Sequence, residues 1–231
     1  MKGIAVPRTM VDISGPIHSD MWHYAAPYFK PEIYQLPPVE WLADPVYSEA
    51  IHLPLQTGTY VESVAHVDPD GIRMYDVPLE RTVLLPSVCV QLPKGPAQAI
   101  GERELRAAVD AVGAGPWKGF GLLVSTGWDS HWDEDDYLER CPYFADGAID
   151  FVIEAEFSLL GGDTARFENP AAPSGHLRRL FACDVLLLAP LCNLAALGSG
   201  VGHVIAPPLP IRGISASPVR AVWVSGLADQ P

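Results

Sequence analysis

The stretch GERELRAAVDAVGAGPWKGFGLLVST, residues 101–126, contains the two kinds of element that decide the fold class. Leu105, Val109 and Val112 recur at helical spacing, and Gly113 stands where a C-terminal glycine commonly ends a helix. The closing FGLLVST is short, apolar and followed by polar residues, which is typical of a buried strand. A helix that leads into a buried strand predicts a sheet with helices packed on it.

The same alternation extends in both directions along the chain. Extended segments are predicted at residues 9–14, 50–64, 81–92, 120–126, 184–190 and 202–227, and helices at residues 101–113, 148–161 and 176–182. Ser174 is a candidate cap for the last of these helices. The pattern predicts an α/β fold class, with a mixed sheet and flanking helices, in a single domain spanning residues 1–231.

Two segments lack a clear period. Residues 15–40 hold many aromatic side chains between prolines, which argue against regular structure, and we predict an N-terminal arm or lid there. Residues 127–144, GWDSHWDEDDYLERCPYF, predict a long, solvated acidic loop. Flat aromatic side chains suit the walls of a pocket for a polycyclic ligand, while ordinary packing or a subunit interface would account for them as well.

Composition limits the class of partner. The chain carries 28 acidic against 15 basic residues and a formal charge of −13, which opposes binding to nucleic acid and to an anionic membrane surface. Four widely spaced cysteines without a CxxC pair predict reduced, mostly buried thiols. The N-terminal sequence lacks the apolar core of a signal peptide, so we expect a cytoplasmic protein that acts on a small molecule.

The segment QTGTYVESVAH, residues 56–66, concentrates polar side chains. In an extended strand Gln56, Tyr60 and Glu62 share one face, and His66 joins them if the chain turns inward after the strand. Only Glu62 among the three strand residues is a strong metal ligand, since Gln56 is a neutral amide and Tyr60 would have to lose its proton. The residues alone are compatible with three interpretations: a metal site, a metal-free acid and base cluster, or a strand whose polar side chains have no functional role.

The sequence resembles a known family at this point, the "putative cyclase" family of bacterial kynurenine formamidases, isatin hydrolases and aromatic polyketide cyclases. The family motif HxGTHxDxPxH corresponds to QTGTYVESVAH. Further segments resemble the family in the same order along nearly the whole chain: VDIS, MWHYAAPYF, LLVSTGWDSHW, LLGGDT, SGHLRRLFACDVLLLAPLCNLAAL and PLPIRGISASPVRAV. The resemblance implies the swivelling β/β/α fold of that family and a homo-oligomer.

Carried over residue by residue, the family's first two metal-binding histidines fall on Gln56 and Tyr60, and its metal-bridging Asp falls on Glu62. The histidine that the family uses as catalytic acid or base falls on His66.

The later histidine ligand of the family falls on His176, and its Glu ligand falls near Ala189, where no carboxylate stands. Most of the expected ligands are therefore replaced. The departure argues against the metal-activated water that the family's hydrolases use.

The resemblance then implies that the pocket and its proton-transfer group remain while the metal does not, with the polyketide cyclases as the more similar branch. We expect intramolecular aldol cyclisation and dehydration of an aromatic polyketide, either free or tethered to a carrier protein, with no cofactor. Glu62 or His66 would be the base, and Tyr60 and Gln56 would donate hydrogen bonds to the reacting oxygens.

The family also places the segments of Trp22 and Trp128 around its pocket, so these residues and His176 are expected to contact the substrate. Two alternatives remain at this stage. One is an amide or formamide hydrolase that binds zinc or manganese through Glu62, His176 and Tyr60, and the other is a non-catalytic, ligand-binding relative.

Overall fold

A nine-stranded mixed sheet organises the residues that the computed structural model describes, namely 9–39, 41 and 43–227. In chain order the strands are β1 (Thr9–Asp12), β2 (Glu32–Gln35), β3 (Glu49–His52), β4 (Tyr60–Glu62), β5 (Val83–Gln91), β6 (Ala99–Ile100), β7 (Gly121–Ser125), β8 (Tyr143–Phe144), β9 (Leu159–Gly162), β10 (Leu186–Ala189), β11 (Gly200–Ile205), β12 (Ala216–Pro218) and β13 (Val222–Ser225). The helices are α1 (Glu102–Val112), α2 (Tyr137–Arg140), α3 (Asp146–Glu154) and α4 (His176–Ala182).

The order of strands in the large sheet is β1-β13-β11-β5-β7-β9-β10-β4-β12. Its centre, β5-β7-β9-β10, is parallel, and the strands on either side pair antiparallel. The strands β7, β9 and β10 are buried along their whole length, as expected for central parallel strands covered on both faces. The predicted α/β class with a mixed sheet and flanking helices is confirmed.

Hydrophobic clusters cover both faces of the sheet. Successive residues of a strand point to opposite faces, so Leu122 packs into the cluster that includes Leu105 of α1 and Ile149 of α3, whereas Leu123 packs into the opposite one with Trp223. This arrangement leaves the antiparallel edge formed by β4 and β12 to carry polar groups.

The N-terminal arm contains a strand that the sequence does not predict. The prolines of residues 15–40 argued against regular structure, but β2 lies between Pro31 and Pro37 and pairs antiparallel with β3. Every residue of β2 is exposed, so the prolines mark the ends of a two-stranded hairpin outside the main sheet.

The predicted helix over residues 148–161 is wrong in its second half. The helix α3 ends at Glu154, and Glu156 has a positive φ of 56°, which helical residues do not adopt. The apolar residues that follow form β9, because pairing with β7 and β10 on both sides buries that run completely.

The acidic segment 127–144 is not the solvated loop that its charge suggested. It contains a 3₁₀ turn over Trp128–His131, the helix α2 and the strand β8. Its apolar members Trp128, Tyr137 and Leu138 are buried in a third cluster with Met21 of the arm. Packing against the arm orders this segment, while its carboxylates face solvent.

None of the described helices has the length and apolar character needed to cross a bilayer. The four cysteines are free thiols and three of them are buried, as predicted. The cytoplasmic location and the single-domain organisation stay predictions.

Leu122 offers a test of the sheet-helix core. Substitution Leu122→Ala is expected to lower the free energy of unfolding by about 2–5 kcal/mol, since it leaves a cavity in a fully buried cluster. Leu79→Ala is the matched control because that side chain is 61% exposed, and it should cost less than about 1 kcal/mol in the same urea titration. Equal effects of the two substitutions would contradict the described core.

Candidate active site

A cavity of about 270 Å³ opens beside β4, where the N-terminal arm and the loop that follows β9 meet. All four residues predicted to be catalytic line it: Gln56, Tyr60, Glu62 and His66. The structure thus brings these side chains together in one cavity, and their catalytic role stays a prediction.

The strand β4 sets the direction of two of these side chains. It lies between β10 and β12, and its alternation turns Tyr60 and Glu62 to the cavity while Val61 enters the opposite hydrophobic cluster. A 3₁₀ turn over Val64–His66 follows, closed by a hydrogen bond from the His66 amide to the Ser63 carbonyl. This turn brings His66 Nε2 to 3.5 Å from Glu62 Oε1.

Gly58 allows the arm to lie against this strand. Its φ is +65°, and a β-carbon there would stand 2.5 Å from a side-chain carbon of Ile17. The Gly15 amide donates to Thr59 Oγ1 at 2.8 Å, and Thr59 in turn donates to the Pro190 carbonyl at the end of β10. The glycine of the motif is therefore required where the arm crosses the site.

Glu62 is a buried carboxyl group, only 5% exposed. Burial raises its pKa to about 7, and a hydrogen bond from Gln56 opposes part of that rise. Because its pKa is near neutrality, the group can both accept and return a proton at physiological pH.

The Gln56 side chain fixes the tautomer of His66. Its amide nitrogen lies 3.2 Å from His66 Nδ1, and an amide nitrogen can only donate, so Nδ1 accepts. The ring proton of the neutral imidazole then sits on Nε2, which faces Glu62. Burial lowers the pKa of His66, which favours this neutral form.

Tyr60 is one half of a pair of tyrosines. Its hydroxyl lies 2.8 Å from the hydroxyl of Tyr24, and Tyr24 is also placed to donate to the Ala165 carbonyl. Burial raises the pKa of Tyr60 well above its ordinary value, so it is a neutral donor. When Tyr24 donates to Tyr60, the proton of Tyr60 is available to an oxygen in the cavity.

Trp22 and Trp128 were predicted to contact the substrate, but neither of them lines the cavity. Trp22 is stacked on Tyr137 at 4.9 Å and packs edge-on against Tyr24. Trp128 is 1% exposed, and its Nε1 donates to the Tyr137 carbonyl. Both belong to the cluster behind the arm, where they support Tyr24 from the side away from the cavity.

His176 is also outside the lining, and its ring nitrogens are engaged. Nδ1 lies 2.8 Å from the Phe167 carbonyl, and Nε2 lies 2.6 Å from Asp146 Oδ1. Ser174 does not cap α4 as predicted, since its hydroxyl bonds Asp146 instead. The amides at the start of α4 donate to the carboxylate of Glu168, which orders the loop that walls the cavity.

The donor set does not suit a divalent metal ion. The Tyr60 hydroxyl is paired with Tyr24, Gln56 directs its amide nitrogen at His66, and His176 is committed to other partners. Ala189 stands directly opposite Tyr60 in the β10-β4 pair, and the resemblance carries the family's Glu ligand to a place near it. Among the described residues no three His, Cys, Asp or Glu side chains gather as a metal site.

Among the other residues that line the cavity, four carry polar or charged side chains and are not among the predicted site residues: Tyr24, Tyr28, Arg166 and Glu168. Tyr24 and Tyr28 belong to the aromatic arm. The resemblance to the family indicated the segment around Trp22, but it did not indicate which side chains of that segment face the cavity. Arg166 and Glu168 follow β9 in a stretch without periodicity, so no local pattern marked them.

Comparisons with known proteins agree with this fold. Residues 11–169 match the sequence profile of the family described as "Putative cyclase". The chain is 27% identical over 227 residues to kynurenine formamidase from Paracidovorax citrulli (strain AAC00-1), covering 95% of this chain and 98% of that protein.

Two solved structures have similar folds. An isatin hydrolase bound to the product analogue thioisatinate superposes with a TM-score of 0.81 at 18% identity, over 94% of this chain and 92% of that one. Isatin hydrolase A from Ralstonia solanacearum superposes with a TM-score of 0.80 at 17% identity, with the same coverage.

The pKa of Glu62 predicts a pH-dependent effect of Glu62→Gln. The native state holds this proton up to about pH 7, whereas the unfolded chain releases it near the ordinary value of 4.5, so burial of Glu62 destabilises the fold increasingly across that window. The free energy of unfolding of the variant, relative to that of wild type, should therefore rise by about 3 kcal/mol between pH 4 and pH 8, because glutamine does not titrate.

The measurement is urea unfolding at both pH values. Glu139→Gln on the exposed face of α2 controls for the loss of one negative charge. A difference between wild type and Glu62→Gln that does not change with pH would contradict a neutral, buried carboxyl.

Proposed function

Because the chain belongs to the "Putative cyclase" family, we propose that it is an enzyme that closes a ring in an aromatic polyketide by metal-independent aldol addition and dehydration. One observation carries the proposal. A carboxyl with a pKa of about 7 lies beside a neutral imidazole and a phenol donor in a single cavity.

Glu62 acts as the base in this proposal. In a poly-β-ketone the methylene between two carbonyls is acidic, and the Glu62 carboxylate removes one of its protons. The electron pair moves into the carbonyl to give an enolate, whose carbon attacks a second carbonyl of the same molecule. A carbon–carbon bond forms, and the attacked oxygen becomes an alkoxide.

Tyr60 stabilises the reacting oxygens, and His66 assists the loss of water. The Tyr60 hydroxyl stabilises the enolate and alkoxide oxygens as charge develops there, once the single proton of Tyr24 turns from the Ala165 carbonyl to Tyr60 and leaves the Tyr60 proton to the substrate. The proton that Glu62 took then passes to the alkoxide, which gives a hydroxyl group and restores the Glu62 carboxylate. Glu62 next removes a second proton from the neighbouring ring carbon and returns it to the hydroxyl group, which leaves as water while the Nε2–H of His66 donates a hydrogen bond to the departing oxygen.

The shape of the cavity fits a folded chain of this kind. Its volume is near the lower end for small-molecule pockets, so it holds the reacting rings rather than a whole polycyclic molecule. Apolar walls come from Phe167, Pro170, Pro173 and Leu177. Such walls hold the two reacting carbons together and exclude water from the enolate.

Hydrolysis of an amide or formamide bond is the second candidate function. The similarity to kynurenine formamidase over 95% of the chain favours it. A metal site formed by Glu62, His176 and Tyr60 is opposed by the engaged ring nitrogens of His176 and by the pairing of the Tyr60 hydroxyl with Tyr24.

The cyclase proposal predicts large losses from two conservative substitutions. With mono- and bicyclic poly-β-ketone substrates, Glu62→Gln should lower kcat about 10²–10⁴-fold and Tyr60→Phe about 10²–10³-fold. Wild-type kcat/KM should rise with pH and level off above about pH 7, as Glu62 ionises, and this dependence should vanish in Glu62→Gln. Product formation and loss of water are followed by liquid chromatography and mass spectrometry.

Two exposed residues supply matched controls, Glu139→Gln and Tyr47→Phe, both of which should leave the rate unchanged. Assays of N-formylkynurenine and isatin with added zinc or manganese run in parallel. Metal-stimulated hydrolysis without cyclisation would replace the proposal by the hydrolase function. Ligand binding without turnover in either assay would identify a non-catalytic relative.

A further inference from the structure

Arg166 is a cation on the cavity wall that forms no ion pair with the described residues. It follows β9 and is the one Lys or Arg among the described residues that line the cavity. Its Nε donates to the Leu138 carbonyl at 2.6 Å, which anchors the side chain. Within the described part of the chain, its two terminal nitrogens have no hydrogen-bond acceptor, and no carboxylate lies within 4.0 Å of them.

The two carboxyl groups that line the cavity, Glu62 and Glu168, have other contacts, and those of Glu168 are made through Oε2. Glu168 accepts hydrogen bonds from the amides of Ser174, Gly175 and His176. Glu62, which belongs to β4, faces Gln56 and His66. Of the five N–H groups of the Arg166 guanidinium, four therefore remain for a bound molecule.

The electrostatic setting makes this arrangement unusual. The protein carries a formal charge of −13, which repels anions from its surface as a whole. Burial raises the pKa of the neighbouring Tyr24 hydroxyl, and the positive charge of Arg166 opposes that rise, so this charge reaches the side of the cavity where the two tyrosines lie.

We propose that Arg166 binds a carboxylate of the substrate, so that the enzyme acts on a free aromatic keto acid rather than on a thioester held by a carrier protein. This inference rests on the proposed function and names its substrate class. A planar guanidinium with adjacent free N–H groups matches the two oxygens of a carboxylate, whereas a thioester offers one neutral carbonyl oxygen.

The geometry also gives the carboxylate a positioning role. Arg166 follows β9 and is anchored through the Leu138 carbonyl, whereas Glu62 belongs to β4, and both line the cavity. Attraction to Arg166 and repulsion by the Glu62 carboxylate favour placing the acid end at Arg166. The ketone part of the same molecule is then left beside Glu62 and Tyr60.

A binding experiment without turnover tests Arg166 independently of cyclisation. A naphthoic acid and its methyl ester are titrated into the protein by calorimetry. Wild type should bind the acid more tightly than the ester, and Arg166→Gln should weaken binding of the acid roughly 10- to 100-fold, the range of a charge-assisted hydrogen bond, with the ester unchanged. Arg166→Lys keeps the positive charge but loses the two parallel N–H donors of the guanidinium, so it should retain part of the preference for the acid over the ester.

Arg178→Gln removes the same charge from the exposed face of α4 and should alter neither titration. Equal affinity of wild type for acid and ester would overturn the proposal. So would a loss in Arg166→Gln that is the same for both ligands, or a loss of the same size in Arg178→Gln. Circular dichroism and thermal unfolding confirm that each variant is folded.

Turnover assays separate this proposal from the proposed function. Preference for the acid in binding, with no cyclisation of any substrate, would leave Arg166 as the carboxylate site and reject the cyclase function. Cyclisation of carrier-bound thioesters as efficiently as of free acids, insensitive to Arg166→Gln, would keep the cyclase function and reject the role of Arg166.

Discussion

The buried carboxyl group of Glu62 is the constraint on which the cavity depends. It is held on β4 between β10 and β12, so its position is set by sheet pairing rather than by a mobile loop. Removing a carboxylate from water is costly unless it is neutralised or hydrogen-bonded, and Gln56 and His66 meet that demand in part. The remaining cost is expressed as a pKa close to neutrality, which is the property that a general base at physiological pH needs.

The replacements in the family motif form a consistent set. The amide at Gln56 has a partner in His66, and the phenol at Tyr60 has a partner in Tyr24 from the arm. Ala189, the small residue opposite Tyr60, is near the place to which the resemblance carries a carboxylate ligand of the family. The replacements at positions 56 and 60 are therefore each accompanied by a local interaction of their own.

The sequence predicted the parts of this account that depend on local pattern. The period of residues 101–126 predicted α1 and β7, and alternation predicted that Tyr60 and Glu62 of β4 face one side. The extended strand predicted over residues 50–64 is wrong at Gln56, which lies in a bent segment before β4, where Gly58 has a positive φ, and which reaches the cavity through that bend. The sequence did not predict the elements that depend on pairing between distant segments. β9 was assigned to a helix because its apolar run has no distinguishing period, and only burial between β7 and β10 makes it a strand. The roles of Tyr24 and Arg166 were missed for the same reason, since both reach the cavity through contacts distant in sequence.

The metal content of active protein tests whether Glu62 works as a base without a metal. Protein purified without an affinity tag is dialysed against a chelator, then analysed for zinc and manganese per chain and assayed for cyclisation. If Glu62 is such a base, turnover remains full at a metal content far below one ion per chain. Near-stoichiometric zinc or manganese that survives dialysis, with turnover lost when it is stripped, would contradict that role of Glu62.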